Sequence, residues 1–368
     1  MRYTCNNIFM VRTPSLSADK FRNFMAFDGT SIEEFLSQES LSNFMEKSIL
    51  LSSRDLSNAR KRDLHGKQKK SNARELSLRK FFTRASTRPT PYGLFAGAAL
   101  GEFSDDKNLG PLVLDETKSI LECRTDFSWL AHFTYEMENH PLVFPQLQVR
   151  FNSNCYVSGD RLKNPYYSNH GFLSAKAMLT QRNHIRNTPL IAFIKQQAKT
   201  FIGYRTLQSQ IQSRYPNVPE EKIVSTLNAL MENEILLTNL RVPANCEDGL
   251  AYVRNVVDPL EGIDFQKETL QKIHTLIQQI HGAHENDQIH TETIETIYTL
   301  MDSLITNGHE KDLLCVNRGI VLSQNKMPLE VKTRVEQFVE ALTYLQVEVP
   351  SRLETFKRHF QEEYGTNV

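Results

Sequence analysis

Two arginines four residues apart, Arg84 and Arg88, open the stretch RASTRPTPYGLFAG, which ends at Gly97. Pro89 and Pro91 bracket Thr90, and Gly93 follows. Proline fixes its own φ and pushes the residue before it out of the α region. Arg88 and Thr90 are therefore expected on a stiff, extended loop, and the glycines let the backbone pass close to whatever the arginines grip. Guanidinium forks on a stiff loop suit planar, bidentate capture of a carboxylate or a phosphate. Taken alone, the same side chains could instead satisfy carbonyls at a helix C-terminus or a carboxylate between domains.

The loop needs elements to hold it. A long, basic, mostly polar stretch from about Ser53 to Lys80 reads as helical, interrupted near Gly66. Ala98–Phe103 and Gly110–Leu114 read as short strands, and Asp126–Glu138 as a helix that Asp126 or Thr125 could cap. The first forty-five residues show no clean period. Residues 147–242 look like a separate unit: strands near Gln148–Phe151, Cys155–Ser158 and Arg161–Tyr167 precede three helices. Thr188 caps the first, ahead of Pro189; Leu207 and Ile211 mark the second; Pro219 opens the third. A strand at Glu234–Leu240 closes a pattern that describes a winged helix-turn-helix. The last third reads as helical, with Leu270, Ile273, Ile277 and Ile280 on one helix and Ile294, Ile297, Met301 and Leu304 on its partner. Pro328 opens a further helix carrying Val331, Val335, Phe338 and Leu342, and a final one runs from about Ser351 to Gly365. The fold class expected is α+β, with short antiparallel strands, an embedded winged helix-turn-helix and a helical C-terminal third.

Composition narrows the function. The 368 residues carry no net charge, yet Leu51–Thr90 holds 12 Lys or Arg against 3 Asp or Glu. Such a run suits phosphate backbone or a solvated face. It lacks interleaved aromatics, so duplex contacts are expected rather than base stacking. Five cysteines without CxxC spacing fit reduced thiols, and no signal peptide or membrane-length apolar run exists, so a cytoplasmic chain is expected. His281, His284 and His290 cluster in a predicted helix turn, but nothing completes a metal site. The third helix of the 147–242 unit offers Lys222 beside Glu220 and Glu221, a poor major-groove reader, so no DNA partner is expected.

The arginine stretch resembles the signature of the lantibiotic dehydratase family, in its N-terminal glutamylation domain. Weaker pieces follow the same order: IFMVRTPSL at Ile8–Leu16, RTDFSWL at Arg124–Leu130, FNSNCYVSGDR at Phe151–Arg161, LLCVNRG at Leu313–Gly319 and FKRHFQEEYG at Phe356–Gly365. The resemblance spans essentially the whole chain. It implies residues 1–146 as the first part of a glutamylation domain, 147–242 as a subdomain that takes a leader peptide as an added strand, and 243–368 as a helical continuation. It also implies transfer of glutamate from glutamyl-tRNA to Ser or Thr of a precursor peptide, with no cofactor beyond that co-substrate. Carried over by position, the catalytic set is Arg84, Arg88, Thr90 and Asp126, with Arg12, Arg161 and Asn317 as substrate contacts. The tRNA-facing set is Arg60, Lys61, Arg62, Lys67, Lys69, Lys70 and Arg74.

Two departures accompany the resemblance. Asn317 stands where the family reads an aspartate, and family domains continue well beyond the FKRHFQEEYG helix. The expected partners are therefore precursor peptide, glutamyl-tRNA and a missing or separately encoded C-terminal portion, with homodimerisation an option and no membrane insertion. The expectation is a chain inactive in dehydration alone. The alternatives are a peptide aminoacyl-tRNA ligase and a non-catalytic leader-peptide binder.

Overall fold

The computed structural model describes residues 3–29, 31–63, 71–106, 108–166, 183–283, 290–306, 313–345 and 351–365. In chain order, β1 (Ile8–Pro14) precedes five helices: α1 (Ala18–Ala26), α2 (Ile32–Gln38), α3 (Ser42–Ser52), α4 (Arg54–Asp63) and α5 (Ser71–Thr87). Strands β2 (Gly93–Ser104) and β3 (Val113–Thr125) lead into α6 (Phe127–Asn139). Next come β4 (Gln148–Phe151), β5 (Tyr156–Ser158), β6 (Arg161–Asn164), β7 (Asn183–Arg186), α7 (Pro189–Gln197), β8 (Ile202–Gly203), α8 (Tyr204–Arg214), α9 (Glu220–Glu232) and β9 (Leu236–Thr238). The remainder is α10 (Gly249–Val257), α11 (Asp264–Ile280), α12 (Thr291–Ser303), β10 (Leu314–Gln324), β11 (Lys326–Pro328), α13 (Leu329–Tyr344) and α14 (Arg352–Tyr364). The class is α+β. The largest sheet has the order β1-β2-β10-β3, with β11 also pairing with β2.

Contacts divide the chain into two units, Met1–Val11 with Ala99–Asp115 and Val321–Val368, and Arg12–Ala98 with Glu116–Ile320. The second unit holds three apolar cores. In the first of these, Leu78, Phe82 and Ala85 recur at helical spacing on α5 and pack with Ile32, Phe35, Leu36, Met45 and Ile49 from α2 and α3. Phe82 meets Phe35 and Phe24 edge-on, at 5.4 and 5.2 Å between centroids. Lys80, Arg84 and Arg88 are spaced four apart and project from the other side of this helix and its end, which leaves Lys80 and Arg88 exposed and Arg84 half-buried.

A second core joins α6 to α10, α11 and α12. Asp126 caps α6 by accepting the Ser128 N–H at 2.8 Å, and Trp129 Nε1 donates to the Met301 carbonyl at 3.3 Å. The apolar repeat predicted for α11 and α12 is buried as its spacing demands. The buried residues of the third core lie within 149–236, where α7, α8 and α9 pack with β4 and β9, and Phe144 packs against them. Thr188 caps α7 as its position before Pro189 suggests, its Oγ1 accepting the Ile191 N–H at 3.3 Å. Two small antiparallel sheets, β8-β4-β9 and β5-β6-β7, complete this segment.

Several elements differ from the sequence expectation. β2 begins at Gly93 rather than Ala98, and β3 runs to Thr125 rather than stopping at Leu114. The buried residues at the end of β3 are Ser119, Leu121, Cys123 and Thr125, a true period of two carried mostly by small or weakly polar side chains. The last third is not all helix: β10 pairs in parallel with β2, placing Asn317 opposite Gly93 and Arg318 opposite Gly97. α1, α2 and α3 occupy the segment that showed no clean period.

In the first unit, Phe9 packs against Phe103 at 5.2 Å and β11 pairs in parallel with β2, Met327 opposite Phe103. α14 begins with a full capping box between Ser351 and Glu354 and ends at Gly365, whose φ is +79°.

Candidate functional site

The end of α5 builds the arginine loop. Its last backbone bond runs from the Arg88 N–H to the Arg84 carbonyl at 3.0 Å, and Pro89 then prevents a further turn. The chain extends through Thr90 and Pro91 and enters β2 at Gly93, where φ is +55°. A Cβ at that point would lie 2.6 Å from Ser52 Oγ, a hydroxyl free to rotate aside, so it is the positive φ that calls for glycine.

Tyr92 is the platform of this loop, and sequence reasoning passed over it. Its hydroxyl donates to the Ser52 carbonyl at 2.9 Å, and its ring stacks on Phe95 at 6.3 Å and 12°. The Arg84 guanidinium lies over the Tyr92 ring, 4.5 Å from its centroid, and Nη2 donates to the Thr90 carbonyl at 3.4 Å. Arg84 Nε is buried and meets no acceptor among the described residues. Arg88 is exposed, and its side chain has no partner among them either.

Leu76, Ser77, Arg79, Lys80, Phe81, Thr83, Arg84, Arg88 and Tyr92 line an open cleft of about 650 Å³. Four lining residues are cationic, and no carboxylate lines the cleft among the described residues. Arg79 is engaged by Glu75 at 2.6 Å, which leaves Lys80, Arg84 and Arg88 as a stripe available to an anion. The signal for Lys80 was in the sequence: it stands four residues before Arg84, as Arg84 stands before Arg88. Apolar surface from Leu76, Phe81 and Tyr92 beside this charge suits an anion that carries a ring or an alkyl chain.

The other predicted residues lie elsewhere. Thr90 is exposed on the loop, and its carbonyl, rather than its hydroxyl, engages Arg84. Asp126 is half-buried, and its carboxylate accepts from the Ser128 N–H and hydroxyl, the geometry of a helix cap. Arg12 is exposed on β1. Arg161 lies in the β5-β6-β7 sheet, 3.9 Å from Asp160, and is not among the residues lining the arginine cleft. Arg60 is bound bidentately by Glu33 at 3.1 and 2.8 Å. Arg74 is half-buried on α5. Lys67, Lys69, Lys70 and His284 lie outside the described residues, as do the side chains of Lys61 and Arg62.

Asn317 lines a second cleft, of about 520 Å³, with Glu122, Arg124, Asp248, His274, Gln278 and His281 among its walls. The Cys123 N–H donates to His281 Nδ1 at 3.3 Å, and His274 Nε2 is 3.8 Å from Asp248. Burial, aided by the neighbouring Cys315, pushes the Cys123 thiol up to about 12, so it is no nucleophile at neutral pH. Among the described residues no group of His, Cys, Asp and Glu is arranged to hold a metal, and no helix is long and apolar enough to cross a membrane. Arg318, which the sequence reading did not single out, follows Asn317 and donates from Nη1 to Ser15 Oγ at 2.9 Å.

Residues 42–368 match the family model described as the N terminus of lantibiotic dehydratases. The subtilin biosynthesis protein SpaB of Bacillus subtilis is 26% identical over 99% of this chain and 34% of its own length. The epidermin biosynthesis protein EpiB of Staphylococcus epidermidis is 27% identical over 69% of the chain and 25% of its own. For the nisin biosynthesis protein NisB of Lactococcus lactis subsp. lactis the figures are 24%, 98% and 34%. The chain thus spans about a third of the length of these relatives, or less. Among solved structures, the tRNA-dependent lantibiotic dehydratase MibB from Microbispora sp. 107891 superposes with a TM-score of 0.72 at 21% identity, over 98% of this chain and 33% of that one. The glutamylation domain of TbtB from thiomuracin biosynthesis gives 0.58 at 15%, over 91% and 42%. Both likenesses show the fold.

Proposed function

Since the chain belongs to the lantibiotic dehydratase N-terminal family, we propose that it is the front part of an assembly that moves glutamate from glutamyl-tRNA to Ser or Thr hydroxyls of a ribosomally made precursor peptide. The observation that carries this reading is the cleft at the end of α5, lined by Lys80, Arg84 and Arg88 and, among the described residues, by no carboxylate. In the transfer, the peptide hydroxyl attacks the glutamyl ester carbonyl. A new ester forms to the peptide, and the terminal ribose hydroxyl of the tRNA leaves with a proton.

Arg84 and Arg88 bind the anionic parts of the charged tRNA end and hold the ester in line. Tyr92 and the Thr90 carbonyl keep Arg84 aimed, and Asp126 fixes the start of α6. Arg12 and Asn317 are carried as further substrate contacts on the strength of the family resemblance alone. The basic stretch from Arg60 to Lys80 offers charge to the acceptor arm. The segment 147–242 is the winged-helix unit that takes the leader peptide by strand addition. MibB is described as tRNA-dependent and TbtB as a glutamylation domain, which supports extending the reading to this fold.

The test is to incubate the chain with precursor peptide and glutamyl-tRNA, with and without the complementary portion of the enzyme, and to analyse the peptide by mass spectrometry. Ester-linked glutamate is expected only with the complement present, and Arg88→Ala should abolish it. An amide-linked C-terminal residue would instead mark a peptide aminoacyl-tRNA ligase. Glutamate transfer that survives loss of both arginines would overturn the reading.

A further inference from the structure

The basic run from Leu51 to Lys80 holds no Phe, Tyr or Trp, yet the fold brings rings to its end. Phe81 and Tyr92 both stack on the fully buried Phe95, Phe81 at 5.2 Å and 27° and Tyr92 at 6.3 Å and 12°. Both rings also line the arginine cleft. Phe95 thus fixes a wall of two rings that stays accessible from the cleft, Tyr92 being 41% exposed and Phe81 half-buried. The Arg84 guanidinium lies over Tyr92, 4.5 Å from the ring centroid, and adds a further planar group to this wall.

Arg84 is poorly placed to grip an anion from the side. Its Nε is buried and its Nη2 donates to the Thr90 carbonyl at 3.4 Å, so the fork made by these two nitrogens is closed to a ligand. Lys80 and Arg88 differ, since both are exposed and line the cleft with no carboxylate beside them among the described residues. Ring walls next to cations are the composition that holds unpaired bases and their phosphates. A simple carboxylate would leave the rings unused, and a duplex would keep its bases stacked on one another.

We propose that the cleft seats the unpaired terminal nucleotide of an RNA strand, its base laid on the wall of Arg84, Tyr92 and Phe81 and its phosphate between Lys80 and Arg88. The volume, about 650 Å³, is that of a site for one such ligand. The inference rests on the reading of this cleft as the seat of a charged tRNA end and deepens it: Arg84 adds to its charge a plane that carries the base.

The test is binding to the full chain, read by fluorescence anisotropy without precursor peptide, glutamate or any further portion of the enzyme. The probes are single-stranded tri-ribonucleotides labelled at the 5′ end, with either adenosine or an abasic ribose as the 3′-terminal residue. The adenosine probe should bind at least about fivefold tighter, the lower end of what one stacked base contributes. Arg84→Lys keeps the charge and removes the plane, so the two affinities should come within about twofold of each other. Lys80→Ala and Arg88→Ala should weaken both probes alike and leave their ratio. Free adenosine 5′-monophosphate should compete only at a concentration at least about tenfold higher than the adenosine probe, since it lacks the rest of the strand's phosphates. The proposal is overturned if neither probe binds, if the abasic probe binds the parent chain as well as the adenosine probe, if Arg84→Lys keeps the preference, or if the free nucleotide binds as tightly as the strand. The comparison of the two probes on the parent chain needs no variant to fold. A base preference without glutamate transfer in the completed assembly would sink the reaction and leave this inference standing; transfer without a base preference would sink this inference alone.

Discussion

Replacing Arg241 by Met should cost about 3–5 kcal/mol of unfolding free energy, the range for leaving buried charges without their counter-ion. Arg241 follows β9 and is shared between two carboxylates. Its Nε and Nη2 donate to the two oxygens of Glu138 at 3.0 Å each, and Nη1 donates to Glu234 at 2.8 Å. Glu138 lies in the last turn of α6 and is 4% exposed, while Glu234 is 3% exposed. Thr238 adds a hydroxyl to Glu138 at 2.6 Å, so that carboxylate keeps a neutral donor when the cation goes. Methionine preserves the apolar stem, so the loss is electrostatic rather than a cavity. Urea unfolding followed by the fluorescence of Trp129, the single tryptophan and a residue of α6 itself, reads the change directly. Neutralising the carboxylates as well, with Glu138→Gln and Glu234→Asn, should recover most of it. Asparagine is chosen at 234 because φ there is +54°, which asparagine tolerates. A single-variant loss below about 1 kcal/mol, as for an exposed pair, would refute the claim that these carboxylates are held dry.

Gly93→Ala should cost about 1–2 kcal/mol from its positive φ alone, and removing the crowding hydroxyl with Ser52→Gly should not restore it; thermal melts of the two variants decide. The Cys123 thiol has a folded value of about 12 against an ordinary 9.0, so its contribution is complete below pH 9 and is lost as pH rises toward 12. Parent stability should therefore fall faster than that of Cys123→Ala across pH 9–11, by up to about 1.4 kcal/mol per pH unit; parallel curves would contradict the burial argument. Lys80→Ala should lower the salt slope of glutamyl-tRNA binding by about one, measured by titration at several salt concentrations. Arg88→Lys keeps the charge but loses the fork, so glutamate transfer in the completed assembly should drop by at least about tenfold, while an unchanged rate would reduce Arg88 to a point charge.

How far the sequence reveals this molecule depends on which force shapes each segment. α7, α11 and α12 were legible because a cap or a clean apolar repeat is written in neighbouring residues. β10 was not, since Leu313–Val316 is a short apolar run that a helix or a buried strand could use equally well. Its strand character comes from pairing with β2, more than two hundred residues earlier. Of the site, Arg84 and Arg88 stood out from the proline spacing alone. Tyr92 did not, because its role depends on Ser52, which only the fold brings beside it. Asp126 shows the reverse case: both of its expected roles were written in the sequence, and the geometry expresses the helix cap.

The arginine cleft is positioned by the core beneath it. α5 places Phe82 and Ala85 among the phenylalanines of α1 and α2 with the same turns that set Arg84 and Arg88 on the opposite side. Ala85 is fixed further, its carbonyl accepting the Leu16 N–H at 2.9 Å. Rotation of the helix by one residue would bury a guanidinium and expose a phenylalanine, so the aim of the cations is set by a hydrophobic preference of several kcal/mol. Among the described residues of its own unit, the apolar stripe Val331, Val335, Phe338 and Leu342 of α13 has no such core beneath it and stays exposed, while α5 hides its own. On α5, burial of one side therefore leaves Lys80 and Arg88 exposed on the other.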